Sequence, residues 1–246
     1  FKMVNLDYIK IDDIDIGIYK KGPLGVGVSC GADSALLLYV LMSNVKETVH
    51  VYNMMAEERR PALEKYFYAV VEKCAELTGN NNYVIHQEIV ESDESAEFYI
   101  NMLTGALDKK EVDIIYLGLT KFPPKAVYAI WDGQQPDWHN EFRSEDTIHP
   151  LFGFTIPVEK ATHFGEECPL TIDGNPVDEL KLDERAYIPW FNHNKKDIAR
   201  MYDSLGVTET LFPVTRSCEN DEHIGSHCGS CWWCEERMWA FNKLGN

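Results

Sequence analysis

The sequence predicts an α/β fold built on an open parallel sheet, with a metal-binding element at its C-terminal end. Three observations carry that prediction. Short apolar segments alternate with longer segments of helical spacing through the first half of the chain. The first of these runs straight into a turn of small residues and an apolar helix. Four of the seven cysteines, Cys218, Cys228, Cys231 and Cys234, crowd the C-terminal end.

Composition bounds the possibilities. At 246 residues, 45% hydrophobic and 26% charged, the chain can bury a sizeable core and has ordinary globular usage. It holds no run of about 18 apolar residues, so no membrane span is expected. Nothing at the N-terminus reads as a signal peptide, and the chain opens on Phe1. With 40 acidic against 23 basic residues the formal charge is −17, and no Lys/Arg cluster makes a basic face. Such a surface repels nucleic-acid backbones, which favours a small-molecule enzyme. The remaining cysteines (Cys30, Cys74, Cys168) are scattered, a pattern that fits a reducing cytoplasm and a metal site better than a disulfide framework.

The elements follow in order. Alternation over Ile14–Tyr19 reads as an edge strand or hairpin before Gly22-Pro23. The strand ending at Val28 leads into a helix over about 33–44. Thr48–Met54 is a second buried strand. Leu63, Tyr66, Phe67, Val70, Val71 and Cys74 keep helical spacing from Glu57 to Leu77, where Gly79 stops the helix. Tyr83–Ile89 is the third strand; a helix over 95–109, capped by Asp93 or Ser95, leads to the fourth, Val112–Gly118. Ligands of such a sheet bind at the strands' carboxyl ends. From 119 to 189 periodicity dissolves into Pro, Asp, Gly and aromatics (Phe122-Pro123-Pro124, Trp131-Asp132-Gly133, Pro136-Asp137-Trp138-His139), which reads as an irregular insert covering the substrate or as a surface excursion. A helix returns at 195–205, capped by Asn194 and stopped by Gly206. The chain is thus read as a single domain over 1–246, with the insert at 119–189 and a zinc-binding element at 215–246.

The turn after the first parallel strand, Ser29-Cys30-Gly31-Ala32-Asp33-Ser34, has the makings of an anion cradle. Backbone N–H groups and a helix N-terminus converge there, and small side chains let a phosphate approach. The hydroxyls of Ser29 and Ser34 can donate to it. Asp33 repels phosphate alone, so it acts either as a helix cap or as partner to a phosphate-bound Mg²⁺. An ordinary strand-turn-helix junction capped by Asp33 or Ser34 is the plainer alternative.

The spacing Cys218-x9-Cys228-x2-Cys231-x2-Cys234 is the sharpest signal. Thiolates two residues apart can grip one tetrahedral ion, and four of them close a structural Zn²⁺ site. An iron–sulfur cluster and four unmetallated core cysteines are the alternatives. His223 and His227 lie close by, outside the ligand set.

Together the two ends resemble a known family. The hexapeptide is similar to the Ser-Gly-Gly-x-Asp-Ser loop of the PP-loop ATP pyrophosphatases, with Cys30 at the first glycine. The cysteine spacing followed by Arg237, with Pro189-x2-Asn192-x-Asn194-Lys195-x-Asp197-Ile198 and Thr215-Arg216-Ser217-Cys218 before it, resembles 7-cyano-7-deazaguanine synthase of 7-deazapurine (queuosine) biosynthesis.

The resemblance implies a Rossmann-like parallel sheet and a carbon–nitrogen ligase. Its reaction converts 7-carboxy-7-deazaguanine and ammonia to the 7-cyano base, with ATP and Mg²⁺, by way of an adenylate and an amide. It implies that Ser29, Cys30, Gly31, Ala32, Asp33 and Ser34 surround the ATP phosphates. Tyr52, Asn53 and Met54 then lie by the adenine, and Gly118 admits the nucleotide. Lys195 adds positive charge at the departing pyrophosphate, so Asp33, Ser34 and Lys195 are the catalytic candidates. A homodimer is the analogous assembly. Two segments depart from the family: Met54–Arg60 replaces its Tyr-Gly-Gln, and Leu119–Lys125 replaces its Asp-Tyr-Ser-Gly-Tyr-Pro-Asp substrate loop. A PP-loop relative adenylating another carboxyl group, on a small molecule or a protein, is therefore the alternative; tRNA thiolation or amidation is a third, disfavoured by charge. Arg216, where the family has Trp, reads as an anion holder or a surface residue.

Overall fold

The computed structural model describes residues 5–91, 95–131, 185–218, 220, 223 and 225–245, with short strands between 155 and 181. The candidate cap Asp93, the segment 132–154 with its aromatic run, and Cys168 lie outside the described residues.

The chain opens on a hairpin, β1 (Asp7–Ile11) with β2 (Ile14–Ile18). Its alternation buries Ile11, Ile14, Ile16 and Ile18. β3 (Leu24–Gly27) leads into α1 (Ala32–Asn44), and β4 (Val49–Ala56) passes through a 3₁₀ turn at Glu57–Arg59 into α2 (Arg60–Thr78). Gly79 ends α2 in the left-handed conformation, φ 69°, its N–H on the Ala75 carbonyl. β5 (Tyr83–Val90), α3 (Ser95–Asp108), β6 (Ile114–Leu117) and the single turn α4 (Lys125–Tyr128) follow. The stretch read as irregular contains short antiparallel ladders: β7 (Thr155–Pro157) with β12 (Glu179–Lys181), β8 (Thr162–His163) with β9 (Glu166–Glu167), and β10 (Thr171–Ile172) with β11 (Asn175–Pro176). Then come β13 (Ala186–Tyr187), α5 (Lys195–Ser204) and α6 (Trp232–Phe241).

The core is a five-stranded parallel sheet in the order β13-β6-β3-β4-β5. Four of its strands lie where periodicity placed them. The fifth, β13, is two residues long, too short to show a period, and falls inside the stretch read as irregular. Val26, Val49 and Val51 face α1, α2 and α5 on one side, while Tyr52, Ile115 and Leu117 face Leu103, Ala106 and Leu107 of α3 on the other. Both faces being covered, the strands read as continuous apolar runs. Each fully buried aliphatic side chain contributes about 1.5–3 kcal/mol. The hairpin is fastened to the sheet by two phenols: Tyr187 Oη accepts from Gly17 N–H at 3.2 Å, and Tyr116 Oη accepts from Tyr19 N–H at 2.8 Å and donates to Gly17 O. Among the described residues no helix is long and apolar enough to cross a membrane.

Candidate functional site

The chain runs from β3 outward to β4 and β5, then returns to place β6 on the other side of β3. That reversal is a topological switch point, and open α/β sheets bind ligands at the carboxyl ends of the strands there. The turn at 28–31 directly follows β3 at that end.

Three bonds hold the turn. Val28 N–H donates to Tyr52 O at 2.9 Å, Asn53 Nδ2 donates to Val28 O at 2.7 Å, and Arg216 N–H donates to Cys30 O at 2.9 Å. Cys30 has φ 70°. That left-handed conformation costs an L-residue about 1–2 kcal/mol, which is the physical reason for a glycine at this position in the family loop. Its side chain is buried with the thiol toward Leu63 O, and burial pushes that thiol up to about 12 against the opposing pull of Arg59 and Arg216. A neutral thiol of this kind packs rather than reacts.

Ser34 Oγ accepts from Ser29 N–H at 3.1 Å and donates to Gly31 O at 3.3 Å, closing the turn on itself. The cap of α1 is Gly31, with no side-chain bond to the helix end. The expectation that Asp33 or Ser34 caps the helix is therefore corrected: both lie inside its first turn. The N–H groups of Ala32, Asp33 and Ser34 open the helix and have no carbonyl within it to receive them.

Asp33 faces Lys195. The Lys195 ammonium lies 2.5 Å from Asp33 Oδ2 and 3.6 Å from Glu236 Oε2, with Lys195 5% and Glu236 0% exposed. Trp190 Nε1 donates to Asp33 O, and Tyr202 Oη to Ala32 O, so the segment around α5 grips the first turn of α1. α5 itself starts at a capping box: Asn194 Oδ1 accepts from Lys196 N–H, and Asp197 Oδ2 accepts from Asn194 N–H at 2.9 Å. Burial raises the Asp197 carboxyl, but hydrogen bonds from His193 and Asn194 and the charge of Arg200 outweigh it and leave it lowered.

The other candidates stand around the turn. The Asn53 side chain is a brace, held by Gln87 Nε2 at 3.2 Å while it holds Val28. Tyr52 turns to the α3 side and stacks on His86 at 4.6 Å. Met54 is half-buried further along β4. Gly118 meets the backbone of α1: a Cβ there would lie 2.9 Å from Ser34 N and Cα, so this glycine lets β6 end against the helix. Arg216 is neither at the surface nor offered to an anion. It is buried, and its guanidinium donates to the carbonyls of Cys218, Asn220 and His223. Glu236 is the residue the sequence did not single out; a charged residue in a helix otherwise marked by its cysteines gives no periodic signal.

The four tail cysteines converge. Their sulfurs all lie within 4.8 Å of one another, and Cys228 Sγ and Cys234 Sγ are 3.9 Å apart. Thiolates at about 2.3 Å from one tetrahedral ion stand about 3.8 Å from each other, so the spacing fits. Cys228 N–H and Cys231 N–H point at the sulfurs of Cys218 and Cys228, as amides do when sulfur carries negative charge. These residues could hold a metal ion such as zinc. Arg237 anchors the element: it stacks 3.8 Å over Phe212 and donates to Phe212 O, Thr215 O, Ser217 Oγ and Leu244 O. Phe122, Tyr128 and Trp131, from the segment after β6, gather on Trp232 at 4.9–5.6 Å. That segment also pairs with the start of α5 through Lys121 and Asn194.

No curated protein matches the chain. Residues 180–245, about a quarter of the 246, match the family model of the queuosine biosynthesis protein QueC. Over that C-terminal part the chain is similar to the 7-cyano-7-deazaguanine synthase family, the family its motifs resemble.

Proposed function

We propose that this chain is an ATP-dependent ligase of the PP-loop type that turns 7-carboxy-7-deazaguanine and ammonia into 7-cyano-7-deazaguanine through an adenylate and an amide. One observation carries the reading: Lys195, from the segment that matches the family, lies against Asp33 of the turn after β3. The α1 N–H groups and the exposed Ser29 hydroxyl receive phosphate oxygens, and Lys195 supports the charge that builds on the departing pyrophosphate. Asp33 carries a second oxygen, Oδ1, buried without a hydrogen-bond partner, and this carboxylate would hold Mg²⁺. Mg²⁺ when bound neutralises charge on the phosphates. Cys218, Cys228, Cys231 and Cys234 would hold Zn²⁺ in a closed site, away from the chemistry. The substrates are then a small carboxylic acid and ammonia, with no nucleic acid.

A second reading keeps the adenylation and changes the acid. The segments after β4 and β6 lack the family's substrate-loop residues, and the match begins only at residue 180. Incubating the chain with ATP, Mg²⁺, ammonium and 7-carboxy-7-deazaguanine, then weighing the products, separates the two. A mass change from acid to nitrile supports the first. AMP and pyrophosphate without that product support another acceptor; no AMP with this acid overturns the first reading, and no AMP with any of a panel of carboxylic acids overturns both.

A further inference from the structure

Lys195 is where two carboxylates from opposite ends of the chain meet. Asp33 reaches it from α1 at 2.5 Å and Glu236 from α6 at 3.6 Å, at a depth where neither Lys195 nor Glu236 is more than 5% exposed. An ammonium has three donors, and at this depth opposite charge holds it rather than water. With Asp33 as its one carboxylate, Lys195 would close an ion pair across the mouth of the phosphate cradle. That pair would have to break before either group could serve a nucleotide. A second carboxylate divides the attraction and leaves Lys195 in place when Asp33 turns to a cation.

We infer that Glu236 is a positioning residue of the phosphate site: it draws Lys195 out of an exclusive pair with Asp33 and keeps the ammonium available to phosphate. This rests on the nucleotide reading above and adds to it a residue from the metal-binding element. Glu236 follows Cys234 by two residues on a helix whose cap is Cys231, and its neighbour Arg237 is pinned by four acceptors. The element that binds the metal thus delivers a charge to the site that the sheet does not provide.

The sign of one measurement separates this role from a bystander's. Acting through space alone, a carboxylate near a polyanion repels it, so removing the charge tightens nucleotide binding. Acting through Lys195, its removal weakens binding. Calorimetric titration of the full-length, metal-loaded chain with Mg·ATP is the test, on wild type, E236Q, K195M and the double variant, each checked for metal content. E236Q is expected to weaken Mg·ATP by about tenfold, within the coupling found between contacting residues. In the K195M background the same change is expected to leave binding unchanged or tighter. Glu236→Asp, which keeps the charge and shortens its reach, is expected to weaken binding by less than E236Q; it serves also if E236Q loses its metal. E236Q and E236D binding as tightly as wild type, or an equal loss with and without Lys195, overturns the inference while the nucleotide reading stands. A wild-type chain that does not bind Mg·ATP overturns both.

Discussion

The sheet half of the molecule and its C-terminal element are held together in opposite ways. From β3 to β6 the fold rests on many interchangeable apolar contacts: Leu24, Val26, Leu36, Leu37, Val49, Val51, Phe67 and Ile114 are all fully buried. From 205 to 245 the described chain has one ten-residue helix, α6, and a single 3₁₀ turn; Val207, Leu211, Phe212 and Phe241 join the core, and the irregular remainder is organised around four sulfurs and two buried guanidinium groups, Arg216 and Arg237. A distributed core loses a little with each change. A polar scaffold with few anchors loses much when one is removed, because the buried partners left behind are unsatisfied.

The most severe way to break the comparison is to take away the metal that the four cysteines would hold. Zinc bound to four thiolates contributes about 10–16 kcal/mol in small folding units, and much of that is folding free energy. A strong chelator, or Cys228→Ser, is expected to melt α6 and the loop before it while the five-stranded sheet persists. Elemental analysis would show the loss, near-ultraviolet circular dichroism would follow Trp232 and Trp233, and amide hydrogen exchange would report the sheet. Exchange rising equally across β3, β4 and β6 would show that the two regions form one cooperative unit.

Next in size is Arg237→Met. The guanidinium is buried, its pKa held down to about 10 by that burial, and its donors go to carbonyls of Phe212, Thr215 and Leu244 and the Ser217 hydroxyl. Leaving buried acceptors such as these unsatisfied costs about 1–3 kcal/mol each. Leu37→Ala in the sheet half costs about 2–5 kcal/mol by cavity formation. The two losses are similar in size and differ in where they appear. Urea unfolding monitored at the tryptophans is expected to separate from unfolding monitored by far-ultraviolet dichroism in Arg237→Met, and to coincide with it in Leu37→Ala.

The same division explains what was legible in the sequence. Four sheet strands and the helices between them announce themselves by period, because apolar burial on a regular backbone repeats. The turn and the cysteine cluster announce themselves by composition, because a phosphate cradle would need small residues and a tetrahedral ion would need thiols at fixed spacing. β13 is too short to have a period. Glu236 matters through Lys195 on another helix, and Arg216 through the carbonyls of Cys218, Asn220 and His223 in the irregular loop just after it, and no periodic pattern encodes either. Cys30 is an intermediate case: its departure from glycine was visible, but its cost became clear only with its φ.

That cost gives a sharper, smaller test within the turn. Cys30→Ala removes the buried sulfur and keeps the left-handed backbone, so it is expected to destabilise by about 1–2 kcal/mol. Cys30→Gly removes the same sulfur and adds about 0.5–1 kcal/mol of backbone entropy, but regains the 1–2 kcal/mol of strain. Glycine is therefore expected to be the milder of the two, reversing the usual order. Urea midpoints of the three proteins decide it; alanine proving milder would mean that the turn relaxes around its cysteine.

The smallest expected effect is a pH dependence lodged in the sheet half. His50 Nδ1 lies 2.9 Å from His86 Nε2, and the two rings and Tyr52 form a stack on the α3 side. Burial lowers the His50 pKa, its electrostatic interaction with the neighbouring His86 lowers it further, and Glu111 opposes them. An unfolded histidine titrates near 6.5, so below that pH the unfolded chain binds a proton that the folded chain resists. Stability is then complete above about pH 6.5 and declines as the pH falls toward the folded pKa. The lowered Asp197 carboxyl acts the same way in a more acid window, below about pH 4, and in α5 rather than the sheet. His50→Gln is accordingly expected to flatten the fall in urea midpoint between about pH 7 and pH 5 and to leave the midpoint above pH 7 unchanged. An unaltered slope would place the acid sensitivity elsewhere, and a slope altered only below about pH 4 would assign it to the carboxylates.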